Sequence, residues 1–328
     1  MKDIFNNFTS EINNLRKHII YIENVKSSIN NTDPLYKYVS SLEKRRFDYK
    51  SLIISLYGII EYFSERFLIT YLEKISEIVV NYINLNEKIR KNHVHNSAQL
   101  ILKILEKKHN KFENIAIEEV VSNLNRCLNT SGKYTINYQS FTLNSGNLKH
   151  SKICELFKQV NINIDSELSK CDHFHHVTSA NKFQKVDDIV LRRNEIAHGT
   201  SNDIIDLLNT SQITDYIDFI EMYFTCIYKS LETAINKEKF LQLNPHPIEL
   251  VKFKLFPKLS VVGFYDAFDK NFEISDIIII EDNTDNFTFV KILEVRNVGS
   301  TTDVTLKLEL DSNFKLESRF KFYLYKTV

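Results

Sequence analysis

Within one short run, Arg193-Asn194-Glu195-Ile196-Ala197-His198, the chain places a guanidinium, a carboxamide and an imidazole. A guanidinium can hold a phosphate through two parallel hydrogen bonds and stabilise charge growing on its oxygens. An imidazole titrates near neutrality, so it can take or give a proton at the same centre. These residue types suit chemistry at a phosphate ester. The spacing by itself says little, because Arg90-Lys91-Asn92-His93-Val94-His95 repeats it in a polar stretch that reads as a loop. The copy at Arg193 differs in its surroundings. Residues 186–199 read as one helix, with Asp187 and Asp188 suited to its positive end and Gly199 placed to terminate it. Its apolar stripe runs Val186, Ile189, Val190, Ile196 and Ala197, and Arg193 stands where a core residue should be. A cation there is costly without a partner or a task.

Glu61 is the matching oddity, an acid among Ile54, Tyr57, Gly58 and Leu68 on the apolar flank of another helix. We expect Glu61 and Arg193 to face each other across the bundle; the alternative is that both snorkel to solvent. On an ideal helix, five residues turn Arg193 and His198 about 140° apart, so they form no tight pair on one face. Asn194 and His198, four apart, share a face, which suits Asn194 to orienting the imidazole or the phosphate. Arg192 joins Glu61 as a supporting residue.

The elements that position these groups read as helices through most of the chain. Apolar residues recur at three and four from Leu52 to Tyr82, through Ile53, Tyr57, Ile60, Phe67, Tyr71, Ile75 and Val79. Thr210-Ser211 reads as the N-cap of a second long helix, striped by Ile213, Ile217, Ile220, Phe224, Ile227, Leu231 and Ile235. Shorter helices are expected over 3–30, 96–108, 114–128 and 150–160, with loops over 129–148 and 171–180. Three of the four prolines, Pro245, Pro247 and Pro257, cluster at a natural boundary. Beyond it the period changes to two: 260–264, 276–280, 287–295, 304–310 and 320–325 are short β-branched or aromatic runs. Closing such strands into a barrel removes exposed edges. The expected fold is mainly α: a helical bundle over 1–244, a Pro-containing linker over 245–257 and a small β-barrel over 258–328.

With these elements in place, Arg193-Asn194 and His198-Gly199, late in an all-helical domain, resemble the R-x4-6-H motif of the HEPN superfamily. Residues Leu56-Tyr57-Gly58-Ile59-Ile60-Glu61-Tyr62-Phe63 are similar to that family's aromatic, Glu-bearing helix. Gly146-Asn147-Leu148, leading into Ile153-Cys154-Glu155-Leu156-Phe157, resembles a linking stretch of one prokaryotic branch. The likeness spans about residues 40–240. It implies metal-independent RNA cleavage, as in toxins, antiphage systems and RNA-processing factors, with no cofactor. It also implies a composite site formed by two motif copies across a homodimer. The expected catalytic residues are then Arg193, Asn194 and His198, with the neighbouring 2′-OH as nucleophile. A second reading keeps the fold without catalysis, as a HEPN scaffold that binds RNA or a partner protein.

Over 258–328, Val262-Gly263-Phe264, Phe272 to Ile278 and Phe314 to Phe320 resemble the second-domain β-barrel of translation elongation factors. Ser275 and Ser318-Arg319 depart from that pattern, standing where its turns carry Gly-Asp. That resemblance implies docking to RNA, to the translation machinery or to a protein.

Other ligand-rich residues have weaker patterns. Cys171-Asp172-His173-Phe174-His175-His176, with His150 and Cys154 one helical turn apart, could complete a zinc site, but the C-x-H spacing has no close precedent. The reading preferred for that stretch is a loop near the cleft. Lys44-Arg45-Arg46 reads as a solvated start to the first long helix. Lys plus Arg equals Asp plus Glu at 42 each, so no global basic field advertises nucleic acid, and any RNA contact must be local. Residues 245–328 carry 11 basic and 13 acidic side chains, which makes the barrel no obvious RNA clamp. The four scattered cysteines read as reduced thiols, and no apolar run is long enough to span a bilayer; a cytoplasmic protein is expected.

Overall fold

The computed structural model describes residues 1–106, 110–129, 133–143, 146–175, 182–198, 206–256, 259–265, 267, 270–297, 303–311 and 314–327. These divide into two compact units, Met1–Leu231 and Glu232–Val328. The first is helical; the second is an antiparallel, nearly closed barrel of seven strands.

In the first unit, α1 (Lys2–Ser28) packs along α3 (Leu42–Ile78), the longest helix, with α2 (Pro34–Val39) between them in sequence. The apolar stripe of α3 ends where expected in substance, but Val79 is extended and Tyr82–Asn84 forms a separate 3-10 turn. Ser41 caps α3 by accepting from the Lys44 amide, so Lys44-Arg45-Arg46 lies inside the first turns of the helix and not before it. The polar run around Arg90 is not a loop: it belongs to α4 (Glu87–Glu106). Then follow α5 (Ile117–Asn129), a 3-10 turn at Tyr138–Thr142 and α6 (His150–Lys158). The region 129–148 is therefore not plain loop, and its Asn137, Ser140 and Thr142 are buried. The expected loop over 171–180 begins instead with helix: α7 (Ile164–Lys170) leads into α8 (Asp172–His175), while residues 176–180 lie outside the described residues.

Two last helices complete the unit, α9 (Gln184–Ala197) and α10 (Thr210–Leu241), the latter continuing past Leu231. The cap of α10 is Asn209, not Thr210-Ser211. Its Oδ1 accepts from the Gln212 amide and its own amide donates to Gln212 Oε1, both at 2.9 Å, a reciprocal capping box. The core is aromatic where α1, α3 and α10 meet: the Phe8 ring lies 5.3 Å from Phe63 and 5.2 Å from Phe224.

The barrel holds β1 (Ile248–Leu250), β2 (Phe253–Phe256), β3 (Val261–Phe264), β4 (Ile277–Glu281), β5 (Phe287–Asn297), β6 (Val304–Leu308) and β7 (Lys321–Tyr325). Residues 245–257 are therefore no linker. They carry two strands, whose short runs the neighbouring prolines concealed. The strand order is β1-β7-β4-β5-β6-β3-β2, so the two edge strands are consecutive in the chain. Strand β5 serves both halves, with a register shift between Ile292 and Glu294 where it bends. Alternate residues such as Val262, Ile278, Ile280, Leu306 and Phe322 fill the interior. On the outside of the sheet, Phe240 stacks on Phe287 at 4.3 Å and packs with Ile279.

Candidate active site

Helix α9 is held at its start and at its middle. At its start, Asp187 accepts the His150 amide at 2.7 Å, capping α6 from outside. At its middle, Asp188 accepts from Arg192 Nε at 2.7 Å and from the Tyr216 hydroxyl at 2.6 Å. Arg192 then spends its remaining donors on the Tyr49 hydroxyl and the Asp206 carbonyl, each at 3.0 Å, and on Asp206 Oδ2 at 3.2 Å. Burial alone would lower the Arg192 pKa, but Asp188 and Tyr49 outweigh it and the net shift is upward. Arg192 is thus a structural clamp that commits most of its N–H donors within α9, to α3 and to the segment before α10.

Arg193 turns the other way. Its guanidinium carbon sits 4.8 Å from the centre of the Tyr57 ring, and Nη1 donates to Asn194 Oδ1 at 3.0 Å. The cation that interrupts the apolar stripe is half-buried and rests on an aromatic face, which stabilises it without neutralising it. Tyr57 is itself buried, and its hydroxyl accepts the Asn147 amide at 3.1 Å, so the 146–149 segment fixes the ring from behind. Burial pushes the Tyr57 pKa up, and the Glu61 charge adds to it.

Glu61 lies one turn from Tyr57 on α3 and is half-buried. Burial raises its pKa and Glu65 raises it further, while Arg193 and Lys111 pull it back. Glu61 and Arg193 therefore feel each other around Tyr57. No contact ion pair joins them among the described residues; the group between them is Tyr57, which sequence reasoning placed beside Glu61 without giving it a role toward Arg193. A Tyr four residues before an intrusive Glu, opposite an intrusive Arg, was the available signal.

His198 is exposed at the end of α9, with its amide donating to the Asn194 carbonyl at 3.0 Å. Gly199 lies outside the described residues. Asn194 faces Arg193 rather than the imidazole, so its side chain shapes the guanidinium. One chain thus presents a positioned cation on one flank of α9 and a free imidazole on another. The same two helices carry exposed apolar side chains: Leu191 on α9, and Phe47, Ile54 and Tyr62 on α3. On an ideal helix those three and Gly58 fall within roughly 80° of arc. The space above Gly58 is open, with nothing within 4 Å of a methyl placed there.

The other candidates resolve differently. The ring of His93 is fully buried: Nε2 accepts the Asn137 amide and Nδ1 meets the Tyr82 hydroxyl, both at 3.0 Å. Burial lowers its pKa to about 4, so it is a neutral structural group. His95 is exposed beside Gln99. His150 Nδ1 lies 2.9 Å from the Tyr223 hydroxyl, its ring stacks on Phe183 at 4.2 Å, and Cys154 Sγ is 3.5 Å from Nε2. Among the described residues no group of three or more His, Cys, Asp or Glu side chains is placed to hold a metal ion. The side chains of Asp172 and His175, and all of His176, lie outside them. No described helix is long and apolar enough to cross a membrane.

A helical bundle whose penultimate helix carries Arg193 and ends at an exposed His198, opposite an aromatic, acidic helix, defines a HEPN domain. The profile of the RiboL-PSP-HEPN family matches residues 6–233, and the chain belongs to that family. No curated protein and no solved structure matches it.

Proposed function

We propose that this protein is a metal-independent endoribonuclease whose active site is completed by a second copy of the chain. The observation that carries the reading is Arg193, a half-buried guanidinium already oriented on Tyr57, with His198 free at the end of the same helix. Two-fold pairing along the apolar face of α3 and α9 would bring two of each around one phosphate. Arg193 then binds the non-bridging oxygens. One His198 takes the 2′-OH proton as that oxygen attacks phosphorus, and the other protonates the departing 5′ oxygen. The products are a 2′,3′-cyclic phosphate and a 5′-hydroxyl. Asn194 and Glu61 hold the Arg193–Tyr57 arrangement, and Arg192 keeps α9 in place. In a cell such an enzyme acts as a toxin or an antiphage effector.

The test is cleavage of a mixed RNA substrate by the purified full-length protein, with end-group analysis. Cleavage should survive EDTA and disappear in His198→Ala while the dimer persists. Cleavage that persists in His198→Ala, or that EDTA abolishes, rejects this mechanism. A dimer that binds RNA and never cuts it would leave the binding scaffold as the function.

A further inference from the structure

We propose that a polar cavity between α4, the 138–142 turn and α6 is a nucleobase pocket, sharing no residue with the Arg193–His198 centre. It has a volume of about 270 Å³, room for a two-ring heterocycle. Of its lining residues, Ser140 is 1% exposed and its hydroxyl has no hydrogen-bond partner among the described residues. A buried hydroxyl left without a partner is costly, and its presence at a cavity points to a group that arrives from outside.

The walls say what kind of group. Asn96 Nδ2 donates to Gln159 Oε1 at 2.7 Å and Gln159 Nε2 to the Phe141 carbonyl at 3.2 Å, which locks both amides and leaves Asn96 Oδ1 without a partner among the described residues. Gln99 Nε2 lies 2.9 Å from His95 Nε2, which leaves its carbonyl oxygen similarly open. At the rim Lys152 pairs with Glu155 at 2.6 Å, so among the described lining residues no charge is left unpaired for a phosphate. Leu143 and Leu156 supply apolar wall. Two open carboxamide acceptors and one hydroxyl, set in a neutral cavity, match a flat uncharged ring bearing an amino donor pair beside a ring-nitrogen acceptor. Adenine has that edge, and carboxamides read it elsewhere in protein–nucleic acid recognition. The choice of a base over another neutral heterocycle rests on the RNA reading given above.

The experiment titrates adenosine and uridine into the full-length protein by calorimetry. Adenosine should bind saturably and at least tenfold tighter than uridine. Gln99→Leu should weaken adenosine at least tenfold, and Ser140→Ala at least threefold. Ser140→Ala should keep or raise Tm, since the hydroxyl it removes has no protein partner. No saturable binding, equal binding of the two nucleosides, or adenosine binding indifferent to both substitutions overturns the proposal. A lowered Tm in Ser140→Ala with binding unchanged, the mark of a structural hydroxyl served by water, overturns it as well. Cleavage lost with adenosine binding intact defeats only the ribonuclease reading; cleavage intact without adenosine binding defeats only this one.

Discussion

At the scale of single residues, the two adjacent arginines of α9 have opposite fates. Arg192 is closed into a network with Asp188, Tyr49 and Asp206, whereas Arg193 rests on Tyr57. Removing Arg192 strands the partly buried Asp188 and the buried Tyr49 hydroxyl. Arg192→Ala should therefore cost roughly 2–3 kcal/mol of stability. His198→Ala, at an exposed position, should stay within about 0.5 kcal/mol. Urea denaturation of the two variants checks the contrast; similar losses would contradict it. Sequence reasoning found the intrusive Arg193 and Glu61 because a charge on an apolar stripe is visible in one dimension. It assigned Arg192 a supporting role without its partners, because Tyr49 and Asp206 lie outside the helix that carries it.

His93 supplies a pH dependence. In the unfolded chain a histidine takes up its proton near pH 6.5, while in the fold burial holds the pKa at about 4. Between those values the unfolded state binds a proton that the folded state refuses. The contribution of His93 is thus complete above about pH 6.5 and is lost as pH falls toward 4, by roughly 3 kcal/mol in all. Denaturation midpoints measured from pH 7 to pH 4 should show that slope, and His93→Gln should flatten it. Equal slopes in both proteins would contradict the assignment.

Among the elements, α3 carries most of the design. One side builds the core through Phe63, Phe67 and Ile53; another presents Tyr57 and Glu61 to Arg193; a third leaves Phe47, Ile54 and Tyr62 in solvent. Rows of exposed large apolar residues mark association surfaces, and the proposed dimer would use this one. Ile54→Glu together with Tyr62→Glu should shift the protein to monomer by sedimentation and abolish cleavage, with helicity unchanged by circular dichroism. A dimer that survives both charges places the interface elsewhere. Long periodic helices such as α3 and α10 were legible because their apolar stripes are unbroken. The start of α4 was not: its inward residues include His93, Asn96 and Ser97, polar groups whose burial rests on partners distant in sequence. β1 and β2 were hidden for a related reason, being three- and four-residue strands beside prolines.

For the whole molecule, charge balance matters more than any patch. With formal net charge zero, the chain has no long-range field to gather RNA. Binding through a pair of Arg193 side chains releases few counterions. For single-stranded RNA each phosphate contact contributes about −0.7 to the slope of log K against log salt, so the pair contributes about −1.4. A slope steeper than about −4, measured by filter binding with His198→Ala, would mean that a basic surface outside the motif dominates. The change of period beyond the proline cluster was enough to foresee a helical unit followed by a barrel. The strand order was not, because pairing partners leave no mark on local periodicity.

That order has a consequence for synthesis. β7, the seventh strand in the chain, lies between β1 and β4, so it bridges the earliest strand to the middle of the sheet. Until Lys321–Tyr325 has left the ribosome, β1 has no neighbour and one side of β4 stands open. The helical unit, finished at Leu231, can settle its core while the strands are still being made. The barrel can only complete its sheet late, once the last strand of the seven has been made.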